Sequence, residues 1–182
     1  MKLIGVISDT HIHGGSTRAL PEQVYDAFEN VEMILHGGDL TVSGVLEVLN
    51  LLAPTIAVRG NNDYGALSNL PISRRVEIEN VVIGMTHGDK PANDVRVSKL
   101  TDAPGNSQAA ADAISHFEFD DDVSCIIFGH SHRAILQNRK INGRGVLLLN
   151  PGSPTDRRWS PHFGCAILKI DGEKIEPQLI TW

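Results

Sequence analysis

The sequence predicts a mixed α/β fold of the α+β-like kind, a sandwich formed by a single domain across residues 1–182. Three observations predict this fold. Apolar runs of strand length recur along the chain, helical patterns lie between the first three runs, and short Gly/Asn turns separate the last ones. With 182 residues, 41% of them hydrophobic, the chain is long enough to bury a sizeable core.

The first third of the chain predicts a β-α-β-α-β unit. The runs at 3–7, 31–35 and 55–58 are almost continuously apolar, which is typical of parallel strands covered on both faces. Pro21 begins the first helical segment, which extends to Phe28, because proline is favoured in the first turn of a helix. Apolar residues at 45, 46, 49 and 52 have the spacing of a second helix.

The second half predicts further strands with more antiparallel pairing. The runs at 75–78 and 81–85 flank Glu79-Asn80, which predicts a tight hairpin turn. Further strands are expected at 123–128, 135–137, 146–149 and 165–170, and a helix at 107–117. The segment from Gly88 to Asn106 is predicted to be a long loop, and a loop of that length beside a site is either a lid or an unstructured insertion.

Composition limits the environment and the partners. The net charge of −6 provides no positive field for long nucleic acid, so we expect no such partner. The six-residue apolar run near the N-terminus is too short for the core of a signal peptide, and no run approaches bilayer length. We therefore expect a cytoplasmic protein without a membrane partner. Cys125 and Cys165 lie in apolar runs and are expected to be buried, reduced thiols.

Candidate metal ligands follow five of the predicted strands, at the point where each strand ends. They are Asp9, His11, Asp39, Asn61, His87, His130 and His132. Because ligand sites form at the carboxyl ends of strands in an open α/β sheet, these side chains are expected to converge. Asp9 and His11 are two positions apart, and on an extended segment that spacing points both side chains the same way.

The type and number of these ligands predict two metal ions. Seven oxygen and nitrogen groups are too many for one tetrahedral zinc but suit two ions that share a carboxylate. Imidazole with carboxylate favours transition metals over Mg²⁺ or Ca²⁺. We expect two divalent transition-metal ions, manganese first, with nickel, cobalt, iron or zinc as alternatives. A single Asp-x-His motif is more often a turn or surface feature, so the prediction depends on five motifs occurring in order.

These motifs resemble a known family. Asp9-x-His11, Gly38-Asp39, Gly60-Asn61-x-Asp63, His87-Gly88 and Gly129-His130-x-His132 resemble those of the calcineurin-like metallophosphoesterases, particularly their small bacterial and archaeal phosphodiesterase branch. Asn150-Pro151-Gly152-Ser153, followed by Arg158, also resembles that branch. The resemblance implies a four-layer α-β-β-α sandwich. It also implies that a small phosphodiester or nucleotide-like substrate is hydrolysed by a hydroxide that bridges two metals and attacks phosphorus in line.

The resemblance also assigns roles to residues. It implies that one ion is held by Asp9, His11, Asp39 and His132, and the other by Asp39, Asn61, His87 and His130. Asn62 and Asp63 are the candidate catalytic residues, and Asn62 and Arg158 the candidate substrate contacts.

Two positions depart from the family pattern. Many relatives have histidine where this chain has Asn62, and an asparagine cannot protonate a leaving group. A good leaving group, or an acid elsewhere such as His13, remains an alternative. Asp89 stands where the family often reads His-Gly-His. These departures leave the substrate open.

Two other kinds of function compete with phosphodiester hydrolysis. The same fold serves as a non-catalytic protein-binding scaffold in membrane-trafficking coats, and some larger relatives are nucleases, which leaves short oligonucleotides open. A homo-oligomer is also left open. Arg59 is equally compatible with a phosphate contact and with a side chain that points away, and His36 with a place behind the ligands or an ordinary hydrogen-bonded histidine.

Overall fold

The apolar runs form two five-stranded sheets that pack face to face. The computed structural model describes residues 1–90, 107–117 and 120–182. Beyond Lys90, the predicted loop from Gly88 to Asn106 lies outside the described residues, so its role as a lid or insertion stays a prediction.

The first sheet has the strand order β10-β9-β1-β2-β3. Its strands are β1 (Lys2–Ile7), β2 (Met33–His36), β3 (Thr55–Ala57), β9 (Gly164–Asp171) and β10 (Lys174–Thr181). Strands β1, β2 and β3 are parallel, which confirms the predicted unit, whereas β9 and β10 are antiparallel additions at the other edge. Helices α1 (Glu22–Phe28) and α2 (Ser43–Leu52) connect the parallel strands.

The second sheet has the order β4-β5-β6-β8-β7. Its strands are β4 (Ser73–Ile78), β5 (Val81–Thr86), β6 (Val123–Ile127), β7 (Ala134–Ile141) and β8 (Arg144–Pro151). The β4–β5 hairpin turns at Glu79-Asn80 as predicted. Antiparallel pairs lie at both edges, but the central strands β5, β6 and β8 are parallel, so their carboxyl ends meet at one edge of the sheet.

Three apolar clusters separate four layers. The first lies between the sheets, for example Leu35 against Ile127, both fully buried. The second joins α1 and α2 to the outer face of the first sheet through residues such as Phe28. The third joins α3 (Ser107–Ser115) to the outer face of the second sheet, where Ala113 is fully buried. The order of layers is therefore α-β-β-α, as the resemblance implied.

Two elements were not predicted. A 3-10 helix spans Gly65–Asn69, and β10 spans Lys174–Thr181 despite containing Pro177. Proline removes a ladder donor, but β10 is an edge strand and needs its donors on one side only. Cys125 and Cys165 are buried free thiols, as expected, and burial raises the pKa of both to about 12. Within the described ranges, no helix combines the length and apolarity needed to cross a membrane.

Candidate metal centre

The predicted ligands converge where the carboxyl ends of both sheets meet. Backbone hydrogen bonds join the loops that carry them: the Asp9 N–H donates to Gly38 O at 2.9 Å, and the Gly129 N–H to His87 O at 3.0 Å. Between the sheets, the His130 N–H donates to the Asp9 carboxylate at 3.1 Å. Segments that are far apart in sequence are therefore held around one centre.

One group of ligands comprises Asp9, His11 and His132, all buried, with ligand atoms within 4.8 Å of one another. The Nε2 atoms of the two histidines are 3.1 Å apart, and His132 Nε2 lies 3.3 Å from Asp9 Oδ1. The rings stack with centroids 4.9 Å apart. Two imidazole nitrogens and a carboxylate oxygen therefore face the same small volume, as the ligands of one transition metal do.

A second group comprises Asp9, Asp39 and His87, also buried and within the same 4.8 Å limit. Asp39 Oδ2 lies 3.3 Å from His87 Nε2 and 3.3 Å from His11 Nε2. Asp39 is thus equidistant from a histidine of each group, which is the position that a bridging carboxylate needs. Asp9 belongs to both groups as well, so either carboxylate has access to both sides of the centre.

Asn61 and His130 lie together on the more exposed side of the centre. His130 Nδ1 is 3.0 Å from Asn61 Oδ1, and the His130 ring meets the His87 ring edge-on with centroids 5.3 Å apart. Both side chains are next to the second group, and neither is fully buried. This side of the centre is open to solvent.

The residues present fit a metal ion. His87 donates from Nδ1 to Gly37 O at 2.8 Å, and its buried Nε2 has no hydrogen-bond partner. An unpartnered buried imidazole nitrogen is costly unless a ligand completes it. In the same way, His132 Nδ1 contacts the carbonyl of Asp156, which leaves Nε2 for the centre. Metal-binding histidines commonly use the second ring nitrogen in this way.

Burial and neighbouring charges set the protonation states of the residues at the centre. Burial raises the pKa of Asp39, but the close approach of His11 and His87 outweighs it and holds that pKa well below its usual range. Burial lowers the pKa of His87, but Asp39 and Asp9 more than offset this and raise it to about 9. Burial also lowers the pKa of His130. Asp39 is therefore available as a carboxylate and His130 as a neutral imidazole, the forms that bind metals, whereas His87 would release a proton on binding one.

The backbone of the ligands differs from the sequence-based expectation. Asp9 and His11 were predicted to point the same way because they lie on an extended segment, and that reasoning is wrong: β1 ends at Ile7, and both residues have positive φ, 55° and 41°. Asp39, His130 and His132 share this left-handed conformation. Left-handed non-glycine residues are uncommon, cost free energy and cluster at functional sites. The side chains converge because the loops turn sharply after each strand.

Two glycines allow the loops to come this close. A Cβ atom at Gly60 would lie 2.2 Å from Asp39 Oδ1, and one at Gly129 would lie 2.0 Å from Ser8 Oγ and 2.5 Å from Asp9 Oδ2. Neither distance is compatible with a side chain. The Gly-Asn and Gly-His motifs therefore provide room for the carboxylates.

The two predicted catalytic residues, Asn62 and Asp63, both form hydrogen bonds with Asp39. Asn62 donates its side-chain amide to Asp39 Oδ2 at 2.7 Å and its backbone N–H to Oδ1 at 2.8 Å. The buried Asp63 accepts the backbone N–H groups of Asp39, Thr41 and Gly60, at 2.9, 2.9 and 2.7 Å. Burial raises the pKa of Asp63, although these hydrogen bonds partly oppose it. Its carboxylate is thus engaged in holding the loops.

The predicted substrate contact Arg158 and the histidine His13 lie at the exposed rim of the centre. His36 lies behind it. Arg158 is exposed, with φ of 48°, and its Nε lies 4.0 Å from Asp156 Oδ2. His13 is exposed, with its ring centroid 6.2 Å from that of His11. His36 is fully buried and accepts the Gly38 N–H at 3.1 Å; burial lowers its pKa to about 3. His36 is therefore a neutral, hydrogen-bonded histidine.

Sequence reasoning missed three supporting residues. Ser8 donates to Asp9 Oδ2 at 2.7 Å, and Ser153 donates to Asp9 O at 2.7 Å. Asp156 presents its carbonyl to His132 and its carboxylate to Arg158. Ser8 and Ser153 lie inside or beside recognised motifs, so their position was a usable signal. Nothing in the sequence distinguishes Asp156 from other loop aspartates.

Two curated relatives are probable metallophosphoesterases. A probable metallophosphoesterase of Methanothermobacter thermautotrophicus is 38% identical over 179 residues, covering 98% of this chain and 91% of the relative. A probable metallophosphoesterase of Methanocaldococcus jannaschii is also 38% identical, over 181 residues, covering 98% of this chain and 80% of the relative.

A solved structure has the same fold. The Vps29 of Entamoeba histolytica in complex with Zn²⁺ superposes with a TM-score of 0.66 at 21% identity, covering 98% of each chain. The family model of the calcineurin-like phosphoesterase superfamily domain matches residues 1–173. With its fold and its histidine and aspartate centre, the chain belongs to the calcineurin-like phosphoesterase superfamily.

Proposed function

We propose that this protein is a dinuclear-metal-dependent phosphoesterase, specifically a phosphodiesterase of small or nucleotide-like substrates. The observation that carries the proposal is the buried, unpartnered Nε2 of His87, which faces Asp39 across 3.3 Å. A structural histidine would use both ring nitrogens, whereas this one has a nitrogen free for a ligand.

The proposed ligand sets share Asp39. Asp9, His11, Asp39 and His132 would hold one ion, and Asp39, Asn61, His87 and His130 would hold the other. Two bound divalent ions supply Lewis acidity, which acidifies water and neutralises negative charge on a phosphoryl group. The mixed nitrogen and oxygen donors support a transition metal, and we propose manganese, with nickel, cobalt, iron or zinc as alternatives.

The chain's own residues would orient the reaction. Asn62 donates hydrogen bonds to both oxygens of Asp39 and would keep that carboxylate in place. Asp63 fixes the loops that carry Asp39 and Asn61 and is proposed as a positioning residue. Arg158, at the rim, would contact a phosphoryl oxygen.

Release of the alcohol needs a proton that Asn62 cannot supply. The exposed His13, with its ring 6.2 Å from that of His11, is an alternative acid on the rim. Substrates whose alcohol leaves readily would not need one. A phosphodiester with an acidic leaving group is therefore the best test substrate.

Hydrolysis of bis-(p-nitrophenyl) phosphate and p-nitrophenyl phosphate tests the proposal. Each is assayed after addition of Mn²⁺, Ni²⁺, Co²⁺ or Zn²⁺ and again with excess chelator. We expect metal-dependent release of p-nitrophenol, faster from the diester. Absence of turnover of both compounds with every metal would overturn the enzymatic function, and preference for the monoester would overturn the phosphodiesterase.

A protein-binding scaffold is the alternative, because Vps29 proteins have the same fold. Metal analysis alone does not separate the two functions, since a Vps29 structure contains Zn²⁺. Turnover does separate them. The complete set of predicted ligands supports the enzyme. The cytoplasmic location and a homo-oligomeric state stay predictions.

A further inference from the structure

A polar cavity of about 240 Å³ opens beside the metal centre. Asn61, a proposed ligand, forms part of its wall, so a group in the cavity would be adjacent to a phosphorus atom held at the centre. Arg59, Tyr64, Asp89 and Lys90 form other parts of the wall.

The cavity contains two cations without a carboxylate partner in the part of the chain that the structure describes: Arg59 and Lys90. Arg59 lies half-buried, and its Nη1 donates to Ser68 O at 3.1 Å, which anchors the guanidinium. The carbonyl of Lys90 contacts His116 Nε2 at 3.0 Å, which holds its backbone against the end of α3. By contrast, Arg75 on β4 pairs with Asp120 at 3.0 Å.

Two cations and two carboxylates, those of Asp63 and Asp89, line the cavity, so its formal charge is balanced. Asp63 lines it, but its carboxylate is occupied by three backbone N–H groups. An anchored guanidinium matches the planar, two-pronged geometry of phosphate oxygens better than an ammonium group does. The cavity is therefore suited to a group that carries a phosphate.

Tyr64 adds an aromatic surface. Tyr64 lines the same cavity as Asn61, and the residue is 72% exposed. Exposing a large ring to water is unfavourable, and such rings commonly serve as stacking surfaces for nucleobases. A phosphate-binding cation and an exposed ring in one cavity match a nucleotide.

We propose that this cavity binds a nucleotide unit of the substrate, the part that lies beyond the reacting phosphorus. Its base stacks on Tyr64, and its second, non-reacting phosphate contacts Arg59, with Lys90 adding positive charge. This inference rests on the proposed phosphodiesterase function and names its substrate class: a short phosphodiester with an additional phosphate, such as a phosphorylated dinucleotide. The cavity is smaller than the roughly 300–1,000 Å³ of typical ligand pockets. That size suits one nucleotide unit.

The test compares a thymidine dinucleotide that carries a 5′-phosphate with the same dinucleotide lacking it. Binding is measured by calorimetry in excess chelator, where hydrolysis does not interfere, and kcat/KM is measured with the activating metal. We expect the wild-type protein to favour the phosphorylated dinucleotide by about tenfold in both measurements, through charge-assisted hydrogen bonds. Arg59→Gln should remove most of that preference.

Matched variants locate the effect. Arg139→Gln, on the opposite edge strand β7, should keep the tenfold preference. Tyr64→Ala should weaken binding of both dinucleotides, whereas Tyr64→Phe should restore it because the ring remains. Equal binding of both dinucleotides to the wild-type protein, or an equal effect of the two arginine variants, would overturn the phosphate contact. Unchanged binding in Tyr64→Ala would overturn the stacking contact.

The binding measurement separates this inference from the proposed function. If the protein hydrolyses no phosphoester with any metal but shows the Arg59-dependent preference in chelator, the catalytic proposal fails and the nucleotide site stands. If bis-(p-nitrophenyl) phosphate is hydrolysed but the preference is absent, the phosphodiesterase stands and this site is overturned.

Discussion

Asn62 donates hydrogen bonds to both carboxylate oxygens of Asp39: its side-chain amide to Oδ2 at 2.7 Å and its backbone N–H to Oδ1 at 2.8 Å. Asparagine at this position thus has a structural use that does not require it to transfer a proton. It fixes the orientation of the carboxylate that lies 3.3 Å from both His11 and His87. Groups that orient a metal ligand in this way typically contribute strongly to metal affinity and activity.

We predict that Asn62→Ala lowers kcat/KM by about 10- to 100-fold, the range typical for loss of a group that orients a metal ligand. Because Asn62 acts through Asp39, the loss should be equal for bis-(p-nitrophenyl) phosphate and for diphenyl phosphate, whose leaving group is poorer. Steady-state kinetics with both substrates measure this. Asn138→Ala, on exposed β7, is the control. A much larger loss with the poorer leaving group would mean that Asn62 assists departure directly.

Asp39→Asn should abolish activity, with a loss greater than the roughly 100-fold expected for an orienting residue. The substitution removes the charge that both histidine groups face, so metal content should fall together with turnover. Activity and metal content per chain are measured side by side. Asp26→Asn, an exposed change on α1, should match the wild-type protein. Near-normal turnover in Asp39→Asn would show that this carboxylate does not bridge the ions.

Gly129→Ala should impair the metal centre even though it adds only a methyl group. That group would lie 2.0 Å from Ser8 Oγ and 2.5 Å from Asp9 Oδ2, so the Asp9 carboxylate must move. We expect reduced metal content and at least about a tenfold loss of kcat/KM. Gly145→Ala has nothing within 4 Å of its added methyl group and should change neither. If both variants retain full metal content, the close approach at Gly129 is unnecessary.

The buried His36 should make the chelated protein sensitive to mild acid. Burial, and to a smaller extent the nearby His87, lower its pKa from 6.5 to about 3. His36 therefore takes up a proton near pH 6.5 in the unfolded chain but only near pH 3 in the folded chain. The contribution of His36 to the free energy of unfolding is fully present above pH 6.5. It should fall by about 1.4 kcal/mol per pH unit below that value.

Urea unfolding at pH 7.5 and pH 5.0 measures this sensitivity. Across that interval carboxylates contribute little, and the wild-type protein is compared with His36→Gln, which keeps an acceptor for the Gly38 N–H. The variant should be less destabilised by acid than the wild-type protein. His162→Gln, an exposed change, should behave like the wild-type protein. Identical pH dependence in all three would mean that His36 is not held neutral.

Much of the fold could be predicted because its signals are local. Apolar runs and turn residues predicted nine of the strands that the structure describes, within a few residues at each end. β10 was missed because its polar and apolar residues alternate around Pro177, a pattern that becomes stable only when β9 provides a partner. The parallel centre of the second sheet also depends on long-range pairing, which no local pattern encodes.

By itself, the sequence determined the identity and order of the ligand types. Asp, His and Asn residues that follow strands and lie beside glycines can be recognised from the sequence alone. Only the tertiary structure decided how they meet. Asp9 and His11 reach one centre through left-handed backbone conformations after β1, not along an extended strand. Those conformations are unfavourable for an isolated segment. They persist here because hydrogen bonds from other loops, such as the Asp9 N–H to Gly38 O, hold them in place.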